Sequence, residues 1–179
     1  MATKKVLFVV ASSGYQSIEY GVPKKLLEQA GFTVLTASNM PGTAVAKDES
    51  TTPVDLVLSD IVVADYDGII FIGGPGALEH LDNEISYAII NNAAEAQKPL
   101  GAICVATRIL ARAGVLKDKQ ATGWNGDNEL GALYKKHGVY YVPKDVVQDD
   151  TIVTATGPDA AREFAEHIIT MLQEEEGEW

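Results

Sequence analysis

Short apolar runs rich in β-branched residues alternate along this chain with segments whose apolar positions recur every three or four residues. Lys5 to Ala11 is the first such run and reads as a buried strand, closed by the polar turn Ser12-Ser13-Gly14. From about Ser17 to Ala30, the positions of Ile18, Val22, Leu26 and Ala30 share one helical face, and Gly31 stands where a helix C-cap is expected. Thr33 to Ser38 is a second strand. Asn39 to Asp60 follows as an excursion containing Pro, Gly and Thr, with a short hairpin predicted around Thr43 to Lys47 and Thr51 to Val54. The apolar strand Gly68 to Ile72 runs into Gly73-Gly74-Pro75-Gly76, and a helix from about Glu84 to Ala96 closes before Pro99. Leu100 to Ile103 is the next strand and delivers Cys104 to the start of a helix, Val105 to Ala113, which Gly114 stops. Beyond it the pattern predicts short strands at Gln120 to Gly123, Val139 to Val142 and Val146 to Gln148, with a helix at Asn128 to His137. A further strand, Thr151 to Ala155, precedes a final amphipathic helix, Asp159 to Leu172, which opens at Gly157-Pro158 because proline is tolerated in a first helical turn. Buried strands alternating with helices predict an α/β fold, with a mostly parallel sheet covered by helices on both faces.

Composition narrows the function classes. At 179 residues, 46% hydrophobic and 22% charged, the chain reads as one folded domain over 1–179, with no repeat or linker and with an acidic, solvated tail from about Glu174. Its net charge of −11 repels phosphate backbones and anionic lipid surfaces, which argues against nucleic acid and membranes as partners. No apolar run reaches the ~18–20 residues of a membrane span, and the chain reads as cytoplasmic. The single cysteine, Cys104, excludes an internal disulfide and a Cys-rich zinc site. His80, His137 and His167 show no metal-pair spacing, and Asp145, Asp149 and Asp150 read as a solvated hairpin edge, so no metal or other cofactor is expected.

In open α/β sheets the chemistry gathers beyond the carboxyl ends of the strands. Three loops lie there: Ser12 to Glu19, Gly73 to Gly76, and Cys104 to Thr107. The turn Ile103-Cys104-Val105 has the form of a nucleophile elbow, with small neighbours Gly101, Ala102 and Ala106. A helix N-terminus directly after the cysteine favours the thiolate and is expected to lower its pKa below the usual ~8.5, although a buried, inert cysteine fits the same spacing. The glycine loop offers the Gly74 amide, together with that of Val105, as an oxyanion hole, or it is a plain turn. It lacks the spacing of a phosphate-binding Walker loop and of the dinucleotide fingerprint. Glu19 stands near the start of the first helix, either as a functional carboxylate or as a surface residue.

These residues together resemble the ThiJ/PfpI-like superfamily, which includes the Parkinson-associated protein deglycase, glyoxalase III enzymes and the PfpI intracellular protease. The resemblance rests on Ile18-Glu19-Tyr20 with Pro23 and Ala30-Gly31, on Ile72-Gly73-Gly74-Pro75-Gly76, on Ala102-Ile103-Cys104, and on Gly157-Pro158 with Phe164, in the family's order over nearly the whole chain. It implies a flavodoxin-like three-layer sandwich, a homodimer or larger homo-oligomer, Cys104 as the elbow nucleophile and Glu19 as its carboxylate partner. An ionised Glu19 would raise the cysteine pKa, whereas a protonated one would donate a hydrogen bond to the sulfur.

Two positions depart from the family pattern. PfpI-like members carry a histidine directly after the cysteine, where this chain has Val105, and the peptidase reading loses its base. The deglycase and many glyoxalase relatives place a histidine roughly twenty residues later, where this chain has Ala121-Thr122-Gly123-Trp124-Asn125. Trp124 is a candidate pocket wall, His80 a candidate at the cleft mouth, and Arg108 pairs either with a substrate carboxylate or with an acidic neighbour. The resemblance implies a cofactor-free enzyme acting on small aldehydes or dicarbonyls such as methylglyoxal. Oxidation of Cys104 in a redox-responsive protective role and a PfpI-like cysteine peptidase are the alternatives.

Overall fold

The computed structural model describes residues 2–174. Its strands are β1 (Lys5–Val10), β2 (Ser13–Tyr15), β3 (Thr33–Ser38), β4 (Thr43–Ala46), β5 (Thr51–Pro53), β6 (Leu56–Val57), β7 (Gly68–Phe71), β8 (Leu100–Ile103), β9 (Gln120–Ala121), β10 (Tyr140–Tyr141), β11 (Val146–Asp149) and β12 (Ile152–Ala155). Its helices are α1 (Ser17–Gln29), α2 (Ala77–His80), α3 (Glu84–Glu95), α4 (Thr107–Ala113), α5 (Leu130–Lys136) and α6 (Ala161–Glu174). The rest of the acidic tail, from residue 175 onward, lies outside the described residues.

Seven strands form the central sheet in the order β11-β12-β8-β7-β1-β3-β6, all parallel to their neighbours except β11, which returns antiparallel on β12. Alternation along β1 divides the core. Leu7 and Val9 point to the side covered by α3 and α4, while Val6, Phe8 and Val10 point to the side covered by α1 and α6. Both faces being buried explains why β1, β7 and β8 read as continuous apolar runs rather than alternating ones. Phe164 of α6 lies over Gly101, where an added Cβ would come within 3.0 Å of its ring, so the small residue in β8 is what lets the last helix seat.

Several sequence expectations change in detail. Ser13–Tyr15, expected as part of a polar turn, is a short strand that pairs with β4 and builds a second sheet, β2-β4-β5, from the predicted hairpin. The partner lies thirty residues away, so no local pattern announces it. The helix expected from Val105 begins instead as a 3-10 turn, Cys104–Ala106, and becomes α-helical at Thr107. The last helix likewise starts with a 3-10 turn, Pro158–Ala160. Two small elements, β6 and α2, had no counterpart in the pattern because both are too short to show a period.

Candidate active site

Strand order explains why distant residues meet. In the sheet β7 lies between β1 and β8, so the loop that follows it falls between the loops that follow the other two. Glu19 comes after β1, Gly73 to Gly76 after β7, and Cys104 after β8. Two backbone hydrogen bonds lock the first pair of loops together: Gln16 N–H donates to the Gly73 carbonyl at 2.9 Å, and Gly76 N–H donates to the Gly14 carbonyl at 3.0 Å. An added Cβ on Gly76 would lie 1.8 Å from the Ser13 carbonyl oxygen, so the two loops touch at van der Waals distance.

Helix α1 then carries Glu19 inward. The Gln16 side chain caps it by accepting the Ile18 N–H at 2.7 Å. Pro23 sits inside the same helix and has no N–H to donate to the carbonyl four residues earlier, which is that of Glu19. The Glu19 side chain is 0% exposed. Its Oε1 accepts the Gly73 N–H at 3.1 Å, while Oε2 has no partner in hydrogen-bonding geometry although the carboxyl lies against the Cys104 thiol.

Cys104 has a φ of 62°, a left-handed conformation rare for a residue with a side chain, as a nucleophile elbow requires. Its carbonyl is held twice, by Thr107 Oγ1 at 3.0 Å and by Trp124 N–H at 3.3 Å. Gly73 makes the close approach possible: an added Cβ there would stand 2.7 Å from Cys104 Cβ, Glu19 Oε1 and the Ile103 carbonyl oxygen alike. This residue was missed by the sequence reading, which weighed its neighbour Gly74, yet the doubled glycine was the signal.

The electrostatics correct one expectation. Burial pushes the Glu19 carboxyl up to about 7, with the contacts to Cys104 and the Gly73 amide pulling down. Burial also pushes the Cys104 thiol up to about 12, reinforced by the Glu19 charge; the Val105 and Gly74 amides act in the opposite direction without prevailing. The expected lowering by the helix start therefore loses to desolvation, since Cys104 is only 9% exposed. The helix that follows is also short and begins with a 3-10 turn, which aligns few peptide dipoles. The two groups form a coupled pair, whose first proton leaves near neutral pH and whose second is retained far above it.

The other candidates lie at different distances from this pair. Gly74, with φ of 116°, and Val105 bring their amides to the sulfur. Trp124 is 38% exposed and adjoins the elbow through its backbone. Arg108 takes the acidic neighbour: its Nη atoms bind both carboxylate oxygens of Asp127 at 2.8 and 3.0 Å. His80 ends α2 with Nε2 3.9 Å from Glu79 Oε2, and none of its hydrogen bonds or ion pairs reaches Cys104 or Glu19. His137 caps α5, and His167 Nδ1 pairs with Gln148 Oε1 at 2.7 Å. Asn125, in the stretch where relatives carry a histidine, accepts the Leu130 N–H, the first amide of α5. Among the described residues no group of three or more His, Cys, Asp or Glu side chains is placed to hold a metal ion.

Residues 4–171 match the model of the DJ-1/PfpI family. The chain belongs to that family. It is 31% identical over 174 residues to the uncharacterized protein MJ0967 of Methanocaldococcus jannaschii, a match covering 97% of this chain and 84% of the relative. A ThiJ/PfpI domain protein from Brachyspira murdochii superposes with a TM-score of 0.91 at 26% identity, covering 97% of this chain and 99% of the other. DJ-1beta of Drosophila melanogaster superposes with a TM-score of 0.81 at 25% identity, covering 97% and 95%. The family's members are commonly dimeric. Among the described residues no helix is long and apolar enough to cross a membrane.

Proposed function

We propose that this DJ-1/PfpI family member is a cofactor-free, glyoxalase-type enzyme that converts small dicarbonyls such as methylglyoxal to hydroxy acids. The observation that carries the reading is the buried Glu19 carboxyl, held near neutrality against a cysteine on a left-handed elbow. A carboxyl poised near the working pH both accepts and returns a proton, which is what the isomerisation needs and what a histidine supplies elsewhere.

As Cys104 Sγ adds to the aldehyde carbon, the thiol proton passes to the Glu19 carboxylate, which returns it to the new alkoxide and leaves a hemithioacetal. During the addition the Gly74 and Val105 amides stabilise the oxyanion. Glu19 next removes the proton from the former aldehyde carbon, giving an enediolate, and delivers it to the neighbouring carbon while the hydroxyl proton moves to the adjacent oxygen. The product is a thioester of the hydroxy acid. Water cleaves it, releasing lactate from methylglyoxal and restoring the thiol. The low exposure of the sulfur fits a substrate of a few heavy atoms and opposes a polypeptide substrate, as does Val105 in place of a histidine.

A second reading has its own support, because two backbone amides and a carboxyl around one sulfur also suit an oxidised cysteine. In it a peroxide oxidises Cys104 to a sulfenate and then a sulfinate, each step reducing one peroxide O–O bond. Purified protein incubated with methylglyoxal, without glutathione or added metal, separates the two. Many lactate molecules per chain, lost in Cys104→Ser and Glu19→Gln, are expected. A stoichiometric adduct with no lactate would end the enzyme reading, and sulfinate formation without turnover would move the assignment to redox protection.

A further inference from the structure

Arg108 stands out among groups that the proposed chemistry does not use. It is 5% exposed, lies one helical turn after Cys104, and donates to Asp127 through two hydrogen bonds and to the Trp124 carbonyl at 3.2 Å. Its guanidinium carbon stands 5.5 Å from the centre of the Trp124 ring. Its Nε has no partner.

Burying a guanidinium with one donor unpaired is a poor way to stabilise a fold, since an apolar residue of similar volume avoids both desolvation and the orphaned N–H. The contacts suit a different task. The Trp124 N–H is one of the two donors holding the Cys104 carbonyl, and Arg108 holds the carbonyl and the ring of that same tryptophan. Asp127 anchors the guanidinium to the far side of the turn, in which the Asn128 N–H donates to the Asn125 carbonyl at 3.0 Å. A closed circuit results, from Cys104 along α4 to Arg108, across to Trp124 and back to the Cys104 carbonyl. A left-handed cysteine is strained and persists only where its surroundings over-determine it.

We propose that Arg108 is a positioning residue for Cys104, acting through Trp124 to hold the elbow in its reactive conformation. The assignment concerns the cysteine of the proposed activity, but its test reads the thiol directly and needs no turnover. The rate of Cys104 alkylation by iodoacetamide is measured against pH, per folded molecule, for the parent, Asp127→Asn, Arg108→Lys and the paired apolar replacement Arg108→Met with Asp127→Leu. The effect expected is a slowing of about tenfold with a displaced pH midpoint in each variant, since misplacement of a reacting group by about 1 Å costs on the order of 100-fold.

The paired replacement is decisive because it removes the buried guanidinium together with the carboxylate that pairs with it. If thermal stability returns to the parent value while alkylation stays slow, the positioning role stands. If rate and midpoint return along with stability, Arg108 serves only the fold and the proposal fails. Should the paired variant not fold, Asp127→Asn decides, and a parental rate and midpoint in that variant overturn the assignment.

Discussion

The elbow and the turn beside it each bury an ionisable side chain, and they treat it in opposite ways. Glu19 is enclosed with one amide on Oε1, no cation and an unpartnered Oε2, so burial raises its pKa toward neutrality. Arg108 is enclosed with a carboxylate on two of its nitrogens, and Asp127 is held below the usual carboxylate range by that contact first of all. A charge left without a counter-ion becomes a proton carrier, whereas a charge given one becomes a brace. In the proposed function the difference separates the residue assigned the chemistry from the residue proposed to hold the geometry.

That contrast breaks most sharply at Glu19. Glu19→Gln keeps an acceptor for the Gly73 amide and removes the proton shuttle, so methylglyoxal turnover should fall by about 10³-fold, or about 4 kcal/mol of barrier, in steady-state lactate assays. Arg108→Ala should lower turnover only about tenfold, through the misplaced elbow, and act mainly on stability. It should cost about 3 kcal/mol in urea unfolding, because the turn loses the packing and the charge-assisted hydrogen bonds of the buried guanidinium. Equal losses of turnover and of stability in both variants would erase the distinction.

The pH dependence of folding sharpens it. Below about pH 4.5 Glu19 is protonated in both states; between there and about 7 the unfolded chain releases the proton while the folded one keeps it. Stability should therefore fall as pH rises through this window, by about 3 kcal/mol, and the decline should be absent from Glu19→Gln. Urea midpoints from pH 4 to 8 test this, and identical slopes in parent and variant would remove Glu19 from the account. The smallest effect belongs to the stretch before Trp124: Tyr134 is buried and donates to the Thr122 carbonyl at 2.6 Å, so Tyr134→Phe should cost about 1 kcal/mol and leave turnover nearly unchanged.

Much of the fold was legible because burial on both faces leaves a local trace. The runs that became β1, β7 and β8, and the spacings that became α1 and α6, depend on neighbours in sequence or one helical turn away. The short strand β2 was not legible, since its partner β4 is remote, and neither was the 3-10 start after Cys104, which shares the composition of an α-helical first turn. Within the site, Cys104 and Glu19 were marked by their places after strands and by the family resemblance. Gly73 was visible only as half of a doublet, and Arg108 was left between two partners, one of which proved to be Asp127.

The alternation of strands and helices, the family, the elbow and the lack of a histidine where relatives place one can all be read from the unfolded chain. These are properties of order and spacing along one dimension, set by hydrophobic period and residue type. Folding alone placed β7 between β1 and β8, and hence let a glycine loop bring a carboxyl against a thiol. It also decided the protonation chemistry, because desolvation depends on everything packed around a group: a helix start that favours a thiolate was overruled by the burial of Cys104 and by the charge of Glu19.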